Sequence, residues 1–419
     1  MGNADQNAIR RHPNTESCPS CSGDCGSGPA MTAWRSAMRT RSGRIVRFGE
    51  VTLPASKSES NRALMIAAYG GFAPDFQNLS DSNDTKVLLS ALKGKTPLID
   101  IADCGTAARF MTTYLACHEG EWILMGTERM KQRPIMPLVK SLRELGADIQ
   151  FVEKEGCLPL RIIGKPISGG IVRIEMHQSS QFASSLLLAA PMWLKGLEMD
   201  LIGELTSLPY LEMTLAMMRH FGAEVERNGR MIFVNSKPYQ SNSFVVDGDW
   251  SAASYWYEMA ALSEECEIRL RGLSMSSLQG DVVIVDWMKQ LGVDTLVEKD
   301  AIVLKKNPFE KRPVCFDFAA HPDLYPTMSA TCAGLNIDAT FTGLDNLALK
   351  ESDRVGVMQA ELSKLGSRPL QFCAHNDHRI VMALAPLALL YGAVSFDHPE
   401  VVEKSYPGFW SDCPFLQTF

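Results

Sequence analysis

Four phrases of near-identical wording recur along the chain: Leu145-Gly146-Ala147-Asp148, Phe221-Gly222-Ala223-Glu224, Leu291-Gly292-Val293-Asp294 and Leu365-Gly366. Their glycines fall about 70–76 residues apart, and each closes an apolar-periodic stretch. A glycine there ends a helix in left-handed backbone without a side-chain clash, and at least three of the four run directly into a strand. Self-similarity at a fixed period means a repeated supersecondary unit.

A second kind of helix alternates with these, each entered from an apolar strand through a polar corner. The corners are Asp103-Cys104-Gly105-Thr106, His177-Gln178-Ser179-Ser180-Gln181, Asp247-Gly248-Asp249-Trp250-Ser251, His321-Pro322-Asp323 and His375-Asn376-Asp377-His378-Arg379. The stretch from Pro54 to Arg62, ahead of an apolar run closed by Gly70-Gly71, makes a sixth. Serine and aspartate at such places accept from the free N–H groups of a helix start. The helix after Gln181 is expected to end near Gly196, and the last to run from Ile380 to Leu390. At 419 residues the chain exceeds one ordinary core. The expected fold is therefore α/β: about six βαβ-containing repeats, three in each of two domains, with a hinge at Asp247-Gly248-Asp249.

Six helix N-termini gathered at one interdomain cleft form an anion trap, because each carries partial positive charge and unpaired N–H donors. Basic residues sit at these same corners: Lys57, Arg62, Arg109, Arg129, Lys131, Arg133, Lys350, Arg354, Arg379 and Lys404. Ser58 and Arg62, four apart, share a helix face with Lys57 at its mouth. Arginine suits two-pronged recognition of phosphate and carboxylate, and lysine acts as a compact point charge. The pattern fits a small substrate bearing several phosphates and carboxylates. Acid–base candidates are few. Asp323 enters a helix after Pro322, and Glu351 lies in Lys350-Glu351-Ser352-Asp353-Arg354. Capping or dipole complementarity explains either equally well at this level. His375 and His378 have metal-ligand spacing but no accompanying carboxylate triad, so a capping, hydrogen-bonding role is expected of them. No phosphate loop, nucleophile elbow or dinucleotide fingerprint occurs, which excludes the commonest kinase, hydrolase and dehydrogenase designs.

The net charge of −7 argues against a nucleic-acid partner, and no apolar run has the length of a membrane span. Eleven scattered cysteines, an odd number, point to reduced thiols and a cytoplasmic protein. Residues 1–42 lack periodicity and are expected to form a disordered leader. Cys18, Cys21 and Cys25 within it have partial zinc-ligand spacing, with His12 the nearest fourth donor, and the basic, acid-poor segment from Gly26 to Arg44 also has transit-peptide character.

Seven ordered motifs carry a family resemblance: Pro54-Ala55-Ser56-Lys57-Ser58 with Asn61-Arg62-Ala63-Leu64; Cys104-Gly105-Thr106-Ala107-Ala108-Arg109; Arg133-Pro134-Ile135; Ser179-Ser180-Gln181-Phe182; Gly248-Asp249 with Ser254-Tyr255; Leu349-Lys350-Glu351-Ser352-Asp353-Arg354; and Asn376-Asp377-His378-Arg379. From about residue 43 to about 411 the chain resembles the 5-enolpyruvylshikimate-3-phosphate synthases, the enolpyruvyl transferases of the shikimate pathway. The resemblance implies a two-domain, inverse α/β barrel-like fold of six βαβαββ units. It puts residues 56–247 in one domain and 43–55 with 248–419 in the other, with the cleft and a two-stranded hinge between them. It implies that Lys57, Ser58, Arg62, Ser179, Ser180, Gln181, Ser207, Tyr210, Asp323, Asn346 and Lys350 surround shikimate 3-phosphate. It implies that Lys57, Gly105, Arg133, Gln181, Arg354, Arg379 and Lys404 surround phosphoenolpyruvate. Asp323, Glu351, Lys57, Lys350 and His378 are the implied catalytic groups, in a monomer that uses no metal or cofactor. Departures from the family pattern are Gln132 for Glu, Leu208 for a common Lys or Arg, Phe110 for an occasional Pro, and the looser corner His321–Pro326. Two alternatives stand beside this reading: the related transferase acting on UDP-N-acetylglucosamine, which uses a mobile-loop cysteine, and a non-catalytic anion-binding paralogue.

Overall fold

The structure, a computed structural model, describes residues 45–94, 96–367 and 369–416, with side chains from Gly49 onward. The cysteines at 18, 21 and 25 and the leader lie outside the described residues. The chain folds as a mixed α/β protein.

Three four-stranded sheets share one pattern, a parallel pair whose second strand carries an antiparallel hairpin. In the first, Leu98–Asp100 and Gly120–Met125 are parallel, and Leu160–Gly164 and Asp148–Phe151 follow. In the second, Gly170–Glu175 pairs with Leu197–Ile202, then Met231–Val234 and Val225–Asn228. In the third, Ile45–Thr52 pairs with Glu265–Arg271, then Ile302–Lys306 and Val293–Val297. Three more parallel pairs stand alone: Phe76–Gln77 with Phe244–Val245, Val314–Asp317 with Ala339–Thr342, and Leu370–Phe372 with Val394–Phe396. Parallel neighbours need a crossover, and helices such as Gly105–Cys117, Ser180–Ala189 and Tyr325–Leu335 supply it.

The recurring phrases do what their glycines predict. Gly146, Gly222, Gly292 and Gly366 have φ of 94°, 86°, 81° and 104°, a region costly for any side chain. They follow the helices Met136–Glu144, Leu208–His220, Ile284–Lys289 and Arg354–Leu362. Two expected helices are shorter than their apolar runs. The helix from Ser180 stops at Ala189, not near Gly196, because Pro191 has no N–H to continue it and a 3-10 turn Ala190–Met192 follows. The last helix is His378–Leu384, and Pro386 breaks the run before Ala388–Tyr391.

Buried side chains form two cores. One runs from Ala63 to Tyr239; the other joins Val51 and Leu53 to residues from Trp250 to Leu416. Helix Trp250–Leu262 is buried at every position, which is why its sequence is apolar on all faces rather than along a stripe. The chain passes between the cores twice, side by side. Ser56 N donates to the Asp247 carbonyl at 2.8 Å, Asp249 N to the Pro54 carbonyl at 2.8 Å, and Ala55 bridges Gly248.

Candidate active site

Five of the six polar corners line one pocket between the cores. Local chemistry fixes four of these five helix starts, the one at His321-Pro322-Asp323 having no side-chain cap. The Ser56 hydroxyl accepts from Glu59 N, the Cys104 thiol from Ala107 N, and the Ser179 hydroxyl from Gln181 N. The carboxylates of Asp353 and Asp377 accept from Gly356 N and Arg379 N. Side chains on the following turns are thereby aimed at the pocket. Gly105 has no side chain for a specific reason: a Cβ there would lie 2.7 Å from Arg133 Nη1, so only glycine lets that guanidinium reach the helix start. The sixth corner, at Asp249, does not line the pocket, although its Ser251 Oγ lies 3.4 Å from Arg379 Nη2.

On the wall built from residues 56–247, two buried guanidinium groups meet neutral acceptors only. Arg62 donates to Thr214 Oγ1 (2.7 Å), the Ser58 carbonyl (2.9 Å) and the Tyr210 carbonyl (3.1 Å). Arg109 donates to the carbonyls of Gly105 (3.2 Å) and Pro134 (2.9 Å), beside the Phe182 ring. Among the described residues no carboxylate is within ion-pair distance of either. Burial pulls Arg62 down to about 10, and burial with neighbouring Arg133 pulls Arg109 down to about 9. Both remain charged at neutral pH, buried cations with no carboxylate in contact among the described residues. Lys57 is different: its Nζ is 2.9 Å from Asp84, whose other oxygen is 3.2 Å from Lys404 Nζ. Although burial raises the Asp84 carboxyl, Lys404 and Lys57 hold it below the usual range.

The facing wall pairs its arginines with carboxylates. Arg354, 1% exposed, contacts Asp323, Glu351 and Asp377, each at 2.8 Å. Arg379 donates to Asp323 Oδ2 at 2.7 Å, and Arg133 Nη1 lies 3.5 Å from Glu351 Oε1. Burial pushes both acids up, but the cations outweigh it. Arg379 and Arg354 hold Asp323, and Arg133 and Arg354 hold Glu351, well below the usual carboxylate range. Among the described residues the Lys350 ammonium has no hydrogen-bond partner, and burial draws it down to about 8. His378 faces the pocket with both ring nitrogens unbonded, and burial, Lys57 and Arg379 keep it neutral.

Contacts across the pocket's mouth hold the two walls together. Arg129 donates to the carbonyls of Glu351 (2.8 Å) and Lys350 (2.7 Å), and Ser207 N to the Ala319 carbonyl (2.7 Å). Ser207, with φ of 54°, is left-handed although not glycine, a strained turn fixed by that contact. Lys404 reaches Asp103 as well as Asp84.

Of the residues singled out in the sequence, Lys57, Ser58, Arg62, Gly105, Arg133, Ser179, Ser180, Gln181, Ser207, Tyr210, Asp323, Lys350, Glu351, Arg354, His378 and Arg379 line the pocket. Lys404 does not; it sits behind the Lys57–Asp84 pair. Asn346 does not either, and its buried amide has both atoms unbonded. His375 points away, into a 2.8 Å contact with Glu361, whose carboxylate also accepts from Lys364 and from Cys373 N. That saturated carboxylate accounts for the His375–Cys373–Glu361 cluster without a metal ion. Sequence reasoning missed Asp84 and Asp281, the latter 3.4 Å from Tyr210 Oη, and quoted Thr106 and Phe182 within motifs without placing them in the site. Asp84 and Asp281 carried no signal, because nothing local distinguishes them from solvent-facing acids. Cys104, fully buried, is pushed up to about 12, mainly by burial, and stays a thiol.

The chain is similar to known proteins in sequence and in fold. The family model for EPSP synthase (3-phosphoshikimate 1-carboxyvinyltransferase) matches residues 92–369 and 367–413. A 3-phosphoshikimate 1-carboxyvinyltransferase from Bacteroides fragilis (strain YCH46) is 43% identical over 383 residues, 86% of this chain and 93% of that one. One from Sulfurovum sp. is 35% identical over 408 residues, covering 86% and 95%. Among solved structures, EPSP synthase from Acinetobacter baumannii superposes with a TM-score of 0.69 over 90% of this chain and 96% of its own, at 20% identity. The enolpyruvyl transferase NikO from Streptomyces tendae gives 0.62 over 90% and 95%, at 14% identity. These two likenesses concern the fold. The motifs, the match to the family model and the relatives' identity together make this chain a member of the EPSP synthase family, the 3-phosphoshikimate 1-carboxyvinyltransferases.

Proposed function

We propose that the chain transfers the 1-carboxyvinyl group of phosphoenolpyruvate to the 5-hydroxyl of shikimate 3-phosphate and releases phosphate. The family makes it a transferase of aromatic amino acid biosynthesis. The observation that carries the site assignment is the pair Arg62 and Arg109, cations buried on the pocket wall with no carboxylate in contact among the described residues. A buried unpaired charge is unfavourable, and an anionic substrate removes the penalty. On this reading Arg62, with Lys57, Ser58, Ser179, Ser180, Gln181, Ser207, Tyr210 and Lys350, takes shikimate 3-phosphate, and Asn346 stands outside the pocket lining. Arg133, Arg354 and Arg379, with Lys57, Gly105 and Gln181, take phosphoenolpyruvate, and Lys404 supports Lys57 from behind through Asp84.

The reaction has two stages. Asp323 accepts the 5-hydroxyl proton as that oxygen adds to C2 and C3 is protonated; phosphate then leaves and C3 is deprotonated. Glu351 stands ionised in its cage of arginines, so it meets the second stage as found. For the first it needs a proton from a neighbour, and Lys350, drawn down to about 8, is suited to supply one. The cations stabilise the charge on the departing phosphate, and closure keeps water out. The same reading takes the six parallel strand pairs as six repeats, three in each of two domains (56–247, and 43–55 with 248–419), in a monomeric cytoplasmic enzyme. The UDP-N-acetylglucosamine alternative loses support because Cys104 is a buried capping thiol rather than a mobile-loop nucleophile. The test is phosphate release from purified protein given both substrates, with and without EDTA. Release that needs both and ignores EDTA is expected; none, or release that needs UDP-N-acetylglucosamine, overturns the reading.

A further inference from the structure

Behind the pocket lies a second carboxyl that the reaction outlined above does not use. Asp281 is fully buried in the segment Gly280–Val283. Its Oδ2 accepts from Ser251 Oγ at 2.5 Å and lies 3.4 Å from Tyr210 Oη. That same phenol oxygen is 3.1 Å from Asp323 Oδ2. One hydroxyl thus stands between two carboxyl groups. A phenol has one proton to donate, so both contacts are hydrogen bonds only when one carboxyl carries a proton and donates to Tyr210. Among the described residues Asp281 Oδ1 has no hydrogen-bond partner, and His321 Nδ1, likewise unbonded there, is 4.0 Å from it.

We infer that Asp281 is the resting place of the proton that Asp323 takes from the 5-hydroxyl, reached through Tyr210. This rests on Asp323 being the base. The substrate O–H breaks as the oxygen bonds to C2, and its proton passes to Asp323 Oδ2. Asp323 hands a proton to Tyr210 Oη while Tyr210 gives its own to Asp281 Oδ2. The phenol ends unchanged, and the net transfer is from substrate to Asp281. The path reverses when phosphate departs, since the 5-hydroxyl proton must leave with it for the overall reaction to balance.

The environments of the two acids differ in the required direction. Arg379 and Arg354 make Asp323 a poor keeper of a proton. Asp281 has no cation of its own. Burial and the charges of Asp323 and Asp249 outweigh Ser251 and the more distant Arg379, pushing it up to about 7. His321, held neutral by burial, adds no charge, and Tyr210 is kept protonated by burial and by both acids. A phenol that does not ionise is what a relay needs.

The experiment compares wild type with Asp281→Asn, Tyr210→Phe, the double variant and Asp323→Asn, measuring kcat, both KM values and kcat/KM from pH 5.5 to 9. Wild-type kcat/KM should rise through about pH 7 as Asp281 ionises. Asp281→Asn should lose that limb and about tenfold or more in kcat, with each KM within about threefold. The double variant should be no slower than the slower single, as expected of two members of one path. A retained limb, an unchanged kcat, or a loss confined to KM overturns the relay. If Asp281→Asn does not fold, Tyr210→Phe decides, because a persisting limb there is equally fatal. Normal turnover in Asp323→Asn overturns the base assignment itself, whereas an inactive Asp323→Asn beside a normal Asp281→Asn overturns the relay alone.

Discussion

The two walls of the pocket each hold a pair of buried arginines and treat those pairs in opposite ways. Arg62 and Arg109 are fixed by carbonyls and a hydroxyl and left with no carboxylate in contact among the described residues, so their charge is available to a ligand. Arg354 and Arg379 are neutralised by Asp323, Glu351 and Asp377, so their charge is already engaged. On the proposed function the first wall serves to hold a permanent anion still. On the proposed function the second serves the chemistry, because its carboxylates are fixed in position by arginines and kept ionised. A pocket of uniform basicity would bind anions as well but would contain no base.

Changes that erase this contrast should have graded effects. Glu351→Gln removes the group assigned to C3 and should lower kcat by about 10²–10⁴-fold while shikimate 3-phosphate binding stays within a few-fold. Near-normal turnover would make the carboxylate wall mere packing. Arg354→Met leaves three carboxylates facing one another and should destabilise the free protein by about 3–5 kcal/mol, read as a lower melting temperature. Arg62→Met tests the other wall and should behave differently. It strands no carboxylate, so its melting temperature should fall far less than that of Arg354→Met. Shikimate 3-phosphate affinity should weaken by about tenfold to 10²-fold, as for a lost charged hydrogen bond, with phosphoenolpyruvate affinity spared. Equal melting-temperature losses in the two variants would abolish the distinction.

The smallest effect concerns the mirror image of Arg62, an acid without a cation. Glu258 is fully buried in helix Trp250–Leu262 with both oxygens unbonded, and burial raises it well above its ordinary value of 4.5. Its folded form keeps the proton that the unfolded chain releases. Stability from this group is therefore fully present below about pH 4.5 and declines as pH rises from there towards the folded value, by up to about 1.4 kcal/mol per unit. Glu258→Met should remove that decline, so its advantage in melting temperature over wild type should widen from pH 5 to pH 8. A pH-independent difference would mean that Glu258 is solvated.

What the sequence revealed about this site follows from the range of the forces involved. Ser56, Ser179 and Asp377 cap helices within three residues of themselves, and Gly146, Gly222, Gly292 and Gly366 answer to backbone sterics alone, so local wording sufficed. Pro191 and Pro386 were local too, but the apolar runs around them masked their effect. The partner of Lys57 is Asp84, and that of Arg354 is Asp377, 23 residues on. Such pairings depend on how corners converge, which no local pattern records. Resemblance supplied most of the site residues, yet it did not distinguish bare cations from paired ones. Asp281 and Glu258 stayed invisible because a buried acid is spelled like a surface one.

The two side-by-side crossings at Pro54–Ser56 and Val246–Asp249 also bear on how the chain is made. Strand Ile45–Thr52 emerges from the ribosome first, but its partner Glu265–Arg271 emerges only after the whole first core has been synthesised. Closing so long a flexible loop carries an entropy that grows with its length, and such distant pairing slows folding. The inserted half can remove the difficulty by folding first, as units do during synthesis. Once folded, it holds its own ends together, with Ser56 N 2.8 Å from the Asp247 carbonyl. The late strand then arrives beside its waiting neighbour, so the guest assembles the host.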